Sequence, residues 1–310
     1  MPPLPWSPPT VPLMLAPMQG LTNRALRAVF AEWVRPDAVW TELVRVRPGA
    51  ETVSRSDRRE LASQSRVPLV AQLIGHDRGA LAAAATAAHA AGVTHLDFNL
   101  GCPTGRHAAR AAGGALLATP ARLPELLGAL RAPFPGSLSV KLRAGYDDPR
   151  QVFTLLPLLE QAGVDYLVLH PRTVVQAFAG RADHRVTAAV VRATALPVIA
   201  NGDVASAADG RRVLAQTGAA GLMLGRGALA DPLLFRRLRG EAPDEPDGTE
   251  LRQLLERLTP RYAALFCGDA QVLAKLREPL AFAPAHLRDA VARLRRARDL
   301  DAFGAVVRTL

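Results

Sequence analysis

The chain is 310 residues long, 49% hydrophobic, and carries 38 basic against 28 acidic side chains for a formal charge of +10. That length buries a full core, as one large domain or a large and a small one. Two cysteines, Cys102 and Cys267, exclude a disulfide framework; no Cys/His group has zinc spacing, and no apolar run reaches the length of a membrane span.

The opening MPPLPWSPPTVP has neither the basic nor the apolar part of a signal peptide. A cytoplasmic monomer with no metal and no membrane contact is expected. The charge favours a polyanionic partner such as nucleic acid, whose phosphates release counterions to cationic side chains. An Arg-rich compositional bias is the plainer source of the same charge. Within that bias Lys141 and Lys275 are the only lysines, which suggests positions where a compact ammonium is needed.

In chain order, short apolar runs occupy 12–18, 38–43, 68–73, 94–99, 138–142, 165–170, 197–201 and 220–224. Segments of helical character lie between them, such as RALRAVFAEW, RGALAAAATAAHAAG, ARLPELLGALR, FTLLPLLEQAG and ASAADGRRVLAQTG. Continuous apolar strands alternating with helices predict a parallel sheet covered by helices, and eight of them in this length predict a closed (β/α)8 TIM barrel. At or just past the strand ends stand Gln19, Glu42, Gln72, Asn99, Lys141, His170, Asn201 and Arg226. In a barrel these converge on one face, where such folds place their chemistry. After Leu238, RGEAPDEPDGTE reads as a linker. Residues 251–310 read as a small helical domain with eleven Arg/Lys against six Asp/Glu. The expected division is a catalytic barrel over 1–240, then a linker and a helical module over 241–310 that either caps the barrel or grips nucleic-acid backbone.

Glycine-containing turns follow the seventh and eighth strands, NGDV (201–204) and GRGAL (225–229). Loops at these positions commonly hold phosphate in this barrel. With no GxGxxG and no P-loop, a flavin mononucleotide fits better than a Rossmann- or Walker-bound nucleotide. Gln72 and Lys141 can then meet the polar edge of its ring, where a lysine stabilises negative charge. His170, followed by Arg172, is placed to contact the flavin, its phosphate or the substrate. His76, His89, His95, His107, His184 and His286 read as structural or surface residues, and Cys267 as a small core residue.

Cys102 sits on a turn, between Gly101 and Pro103. It has no neighbouring base to make it a nucleophile and no co-ligands to hold a metal. A thiol that donates a proton needs only reach, and this role pairs with a flavin that supplies hydride across a carbon–carbon double bond.

Together, APMQGLTNRALR (16–27), TELVRV (41–46), AQLIG (71–75), NLGCP with GGALL (99–117), KLR (141–143), HPRT (170–173), NGD (201–203) and GRG (225–227) resemble the bacterial tRNA-dihydrouridine synthases, in that family's order and over almost the whole barrel. The resemblance implies FMN-dependent, NADPH-driven reduction of a tRNA uridine. FMN would be held by Pro17, Met18, Gln19, Gln72, Lys141, Asn201, Gly202, Asp203, Gly225 and Arg226, with His170 a further contact. Cys102 would protonate C5 after hydride reaches C6, and Asn99 would lie near the base. The uridine would leave the tRNA stack to react, with Arg45, Arg172 and Lys275 among the residues toward the RNA. Where the family carries a lysine three residues after the cysteine, this chain has Gly105 and then Arg106; either Arg106 takes over or the loop works differently. TELVRV, with Arg45, resembles the branch acting on position 16 of the D-loop, whereas HPRT…AFAGRADH resembles another branch; position 16 is the expectation.

Two rivals remain at this level. An FMN barrel acting on a free pyrimidine accounts for the flavin turns but not for the basic tail. A non-catalytic tRNA-binding protein accounts for the tail and predicts a colourless protein.

Overall fold

The computed structural model describes residues 2–7, 9–62, 65–103 and 111–310. Its strands are β1 (Leu13–Leu15), β2 (Ala38–Trp40), β3 (Val44–Arg45), β4 (Leu69–Ile74), β5 (His95–Leu100), β6 (Ser137–Arg143), β7 (Tyr166–His170), β8 (Val198–Asn201) and β9 (Gly221–Leu224). Every pairing is parallel. β2 bridges β1 and β4, and β9 returns to β1, so the sheet closes into the expected (β/α)8 barrel.

The second apolar run, expected as one strand over 38–43, is broken. Both β2 and β3 pair with β4, through Val39↔Leu69 and Val44↔Leu73. Between them side chains replace the ladder: Thr41 Oγ1 accepts the Gln72 N–H at 3.0 Å, and Gln19 Oε1 accepts the Leu43 N–H at 3.2 Å.

Alternation along the strands sorts the core. Met14, Trp40, Val70, Tyr166, Val168, Ile199 and Met223 fill the barrel interior, while their neighbours Leu13, Leu15, Val39, Leu167 and Leu222 face the surrounding helices. The expected helices appear as Arg24–Trp33, Arg78–Ala90, Leu123–Arg131, Gln151–Gln161 and Ala207–Thr217. Asn23, Asp77 and Ser206 cap three of them by accepting backbone N–H bonds in the first turn. The helix His184–Ala193 escapes a sequence reading because its buried stripe is only Thr187, Ala188 and Val190.

Helices Glu250–Leu265, Asp269–Arg277, Arg288–Arg296 and Leu300–Val307 follow the barrel. Their apolar faces, through Leu254, Leu258, Tyr262, Leu276 and Phe303, join one cluster with Leu26, Phe30 and Phe235 of the barrel's helical shell. The acidic Pro/Gly stretch between is pinned. Arg237, 2% exposed, pairs with Asp231 at 2.8 Å and with Glu250, and donates to the Pro243 and Glu245 carbonyls. A linker composition thus conceals a buried guanidinium that holds it in place.

Candidate active site at the mouth of the barrel

The C-terminal strand ends open into a cavity of about 840 Å³. Seven of the eight strand-end side chains line it: Gln19, Gln72, Asn99, Lys141, His170, Asn201 and Arg226. Pro17, Met18, Gly202, Asp203 and Gly225 complete the expected wall. Glu42 does not belong to it. The break after β2 brings Leu43 to the cavity instead, and Glu42 accepts a hydrogen bond from the Gly20 N–H. Burial, with Glu60 adding repulsion, pushes its carboxyl up to about 7 against the pull of Arg27 and Lys275.

Cys102 is half-buried in the cavity wall. Asn99 Oδ1 accepts the N–H groups of Gly101 at 3.1 Å and Cys102 at 3.0 Å, fixing the chain as it leaves β5. From the other side Gly114 donates its N–H to the Cys102 carbonyl at 3.2 Å. Gly113, at φ +64°, leaves its absent β-carbon only 3.3 Å from Cys102 Cβ. The Gly-Gly pair therefore lets a second segment pack against the cysteine loop. Gly105, Arg106 and His107 lie outside the described residues.

Lys141 donates to Asn201 Oδ1 at 3.0 Å, and Asn201 donates in turn to the Met223 carbonyl at 2.8 Å. Burial pulls the lysine down to about 8, with Asp97 opposing and Arg143 reinforcing the shift. His170 is buried, and its Nδ1 accepts the Arg172 N–H at 3.3 Å, so its proton sits on Nε2. Burial together with Lys141, Arg143 and Arg172 pushes it down to about 2, leaving a neutral donor beside Gly202.

Arg172 and Asp203 serve one another rather than facing a ligand separately. Arg172, 3% exposed, spans both carboxylate oxygens at 3.0 and 2.7 Å, and Ala182 N–H adds a 2.7 Å bond. Burial raises the Asp203 carboxyl, but these donors outweigh it and hold the group below its ordinary range. Arg172, expected as a substrate contact, has its guanidinium enclosed and bonded to Asp203 and to the Ala179 and Gly180 carbonyls. Arg226, half-exposed, approaches Asp203 at 3.4 Å.

Three residues that sequence reasoning passed over line the cavity, Arg143, Phe178 and Phe282, and His184, expected as structural or surface, braces its edge. Arg143, third residue of the KLR motif, donates to the carbonyls of Gly101, Thr173 and Ala177 at 2.8, 2.9 and 2.6 Å. Phe178 is 57% exposed at the mouth, with the Arg226 and Arg143 guanidiniums 5.0 and 5.5 Å from its ring centre. His184 Nε2 bonds the Gly202 carbonyl at 2.9 Å. Phe282, from the C-terminal region, also reaches the cavity. KLR alone was a signal; the others depend on loops that meet only in three dimensions.

Arg45 is exposed at the end of β3, outside the cavity. Lys275 is likewise outside it, donating to the Gly20 carbonyl at 3.2 Å and to Glu278 at 2.9 and 3.1 Å. Cys267, expected in a core, is exposed in the turn between two helices, where there is no core to enter. Among the described residues no group of His, Cys, Asp and Glu is arranged to hold a metal ion.

Solved structures share the fold. A morphinone reductase superposes with a TM-score of 0.53 at 15% identity, covering 76% of this chain and 87% of its own. An old yellow enzyme homologue from Zymomonas mobilis gives 0.54 at 14% identity, over 76% and 90%. At such identity the likeness concerns the barrel alone. Sequence relatives are nearer. The tRNA-dihydrouridine synthase B of Pseudomonas aeruginosa is 33% identical over 306 residues, 96% of this chain and 91% of that protein. The tRNA-dihydrouridine(16) synthase of Cupriavidus necator is 35% identical over 267 residues, 82% of each. The family model described as dihydrouridine synthase (Dus) matches residues 14–277, a span that contains the whole cavity wall except Phe282. By this match, and by the cysteine loop it encloses, the chain belongs to the dihydrouridine synthase family.

Proposed function

We propose that this chain reduces the C5–C6 double bond of a D-loop uridine in tRNA, at position 16, using FMN held in the cavity and NADPH as reductant. The observation that carries the reading is Cys102 set in the wall of a cavity of about 840 Å³ that it shares with Lys141 and His170. The volume is in the range of cofactor sites. The donor set suits a flavin: a neutral Nε2–H on His170, a partly desolvated ammonium on Lys141, and Arg226 at the rim. Gly202, at φ +123° and with any β-carbon 3.2 Å from His170 Nε2, keeps its turn open to a close ligand.

Pro17, Met18, Gln19, Gln72 and Lys141 would hold the ring, and Asn201, Gly202, Gly225 and Arg226 the phosphate-bearing tail, with Asp203 keeping Arg172 and Arg226 in place. Bound there, FMN would supply the hydride chemistry of the reduction, with NADPH as the reductant. Cys102 Sγ–H donates its proton to C5, which completes the net addition of two hydrogens, and solvent at the mouth returns a proton to the sulfur. Lys141 places positive charge at the edge of the cavity where negative charge develops. Asn99 keeps the cysteine loop facing the flipped-out base. Residues 1–240 form the catalytic part, and the helices after 241 grip the RNA backbone of a cytoplasmic tRNA through their arginines. Among the described residues no helix is long and apolar enough to cross a membrane.

The test is Cys102→Ala in purified protein. It should retain bound flavin and tRNA affinity and lose dihydrouridine formation by about 10²- to 10⁴-fold, the usual contribution of a positioned acid. Undiminished product would remove the acid role, and a colourless wild-type protein would remove the flavin. Mass-spectrometric mapping of tRNA from cells with and without the gene reads the position.

A further inference from the structure

Asp97 is fully buried in β5, in register with Gln72 of β4 and Ser139 of β6 and two residues before Asn99. A carboxylate here is costly to keep. Its hydrogen bonds explain its presence. Ser139 Oγ donates to Oδ1 and Gln72 Nε2 to Oδ2, both at 2.6 Å. Gln72 Oε1 then accepts from Asn99 Nδ2 at 3.0 Å, and Asn99 Oδ1 accepts the N–H groups of Gly101 and Cys102.

Each amide in this chain can be turned end for end, and a turned Asn99 would present NH₂ to the Gly101 and Cys102 N–H groups, donor against donor. Burial pushes the Asp97 carboxyl up to about 7 against the pull of Ser139, Gln72 and Lys141, and above that pH it is an ionised carboxylate, which only accepts. It forces Nε2 of Gln72 inward and Oε1 outward, and so forces Nδ2 of Asn99 toward Gln72 and Oδ1 toward the cysteine loop. We propose that Asp97 is a positioning residue that sets the direction of the Asp97–Gln72–Asn99 hydrogen-bond chain and thereby holds Cys102 in its reactive place. This rests on Cys102 being the acid, and it assigns Asp97 a duty that burial alone does not give.

Asp97→Asn is the discriminating variant. It is isosteric and keeps the side chain in place, while taking a negative charge from beside Lys141, and asparagine accepts either direction of the chain. It can offer Oδ1 to Gln72 with Nδ2 on Ser139, or the reverse. In flavin-loaded protein the Gly101 and Cys102 amides should exchange with solvent about tenfold faster, the scale of one hydrogen bond. kcat should fall by a similar factor, with flavin content and KM for tRNA unchanged. In a double-mutant cycle with Asn99→Ala the losses should not add, because Asp97 acts through Asn99. Unchanged amide exchange in Asp97→Asn, or full additivity with Asn99→Ala, overturns the proposal. The exchange readout needs no turnover, so failure of Cys102 as the acid and failure of Asp97 as its positioner are separate results.

Discussion

Gly114 lies directly against the backbone of Cys102: its N–H donates to the Cys102 carbonyl at 3.2 Å, and a β-carbon added there would stand 2.8 Å from that same oxygen. The second wall it would strike is Val174, also at 2.8 Å, so neither side offers room. Gly114→Ala must push the cysteine loop toward the cavity. The expected outcome is a fall in dihydrouridine formation of at least about tenfold, as small misplacements of catalytic groups cause, with flavin absorbance retained. Steady-state kinetics alongside the visible spectrum check it; a variant with normal turnover would mean the loop position is not critical.

The protonation of His170 makes acid the weak side of this fold. Its ordinary value of 6.5 is pushed down to about 2 by burial and three neighbouring cations. Below pH 6.5 the unfolded chain takes up a proton that the folded chain refuses, so this group's contribution is complete above 6.5 and drains away as the pH falls. His95, lowered to about 4 by burial, acts in the same direction. For His170 alone the loss between pH 7 and pH 5 is about 2 kcal/mol. Urea unfolding of His170→Gln across that range should show a shallower slope than wild type by close to one proton; identical slopes would mean His170 titrates in the folded state.

Much of this was legible in the chain and some was not, for physical reasons. Strands buried on both faces are written as continuous apolar runs, so PLVAQL and DYLVLH announced β4 and β7 directly. A polar residue at such a strand's end has no packing reason to be there, which is why Gln72, Asn99, Lys141 and His170 could be singled out. Glu42 obeyed the same rule and misled, because Thr41 replaced a ladder bond with its hydroxyl and turned the following residues. Arg237 was invisible, an arginine among many, and His184, read as structural or surface, gave no sign of its partner carbonyl, Gly202, eighteen residues away. Pairings of that kind arise from where loops meet.

Asp203 and Arg172 form the anchor beneath the glycine turn of 201–204. Arg172 is 3% exposed in its side chain and Asp203 32%. Removing one partner of a buried pair leaves an uncompensated charge, and with this partial exposure Asp203→Asn should cost about 2–3 kcal/mol of stability. It should also free Arg226, held 3.4 Å away, and weaken flavin retention on dialysis. Chemical unfolding and flavin content measured on one preparation check both effects; full stability with lost flavin would recast Asp203 as a cofactor residue only.

Lys275, one of two lysines in the chain, joins the C-terminal helices to the barrel. Its ammonium donates to the Gly20 carbonyl at 3.2 Å and to Glu278 at 2.9 and 3.1 Å, and sits 5.7 Å from the centre of the Phe266 ring. Three partners in fixed directions suit a compact ammonium better than a planar guanidinium, which gives its retention a reason that needs no RNA. A phosphate contact removed by mutation lowers the slope of log affinity against log salt by about one. Lys275→Met should therefore leave the salt slope of tRNA binding as it is. The same substitution should loosen the helices around Asp269–Arg277 from the loop at Gly20, seen as faster amide exchange in both segments. A slope reduced by one, with exchange unaltered, would return Lys275 to the RNA-contacting surface.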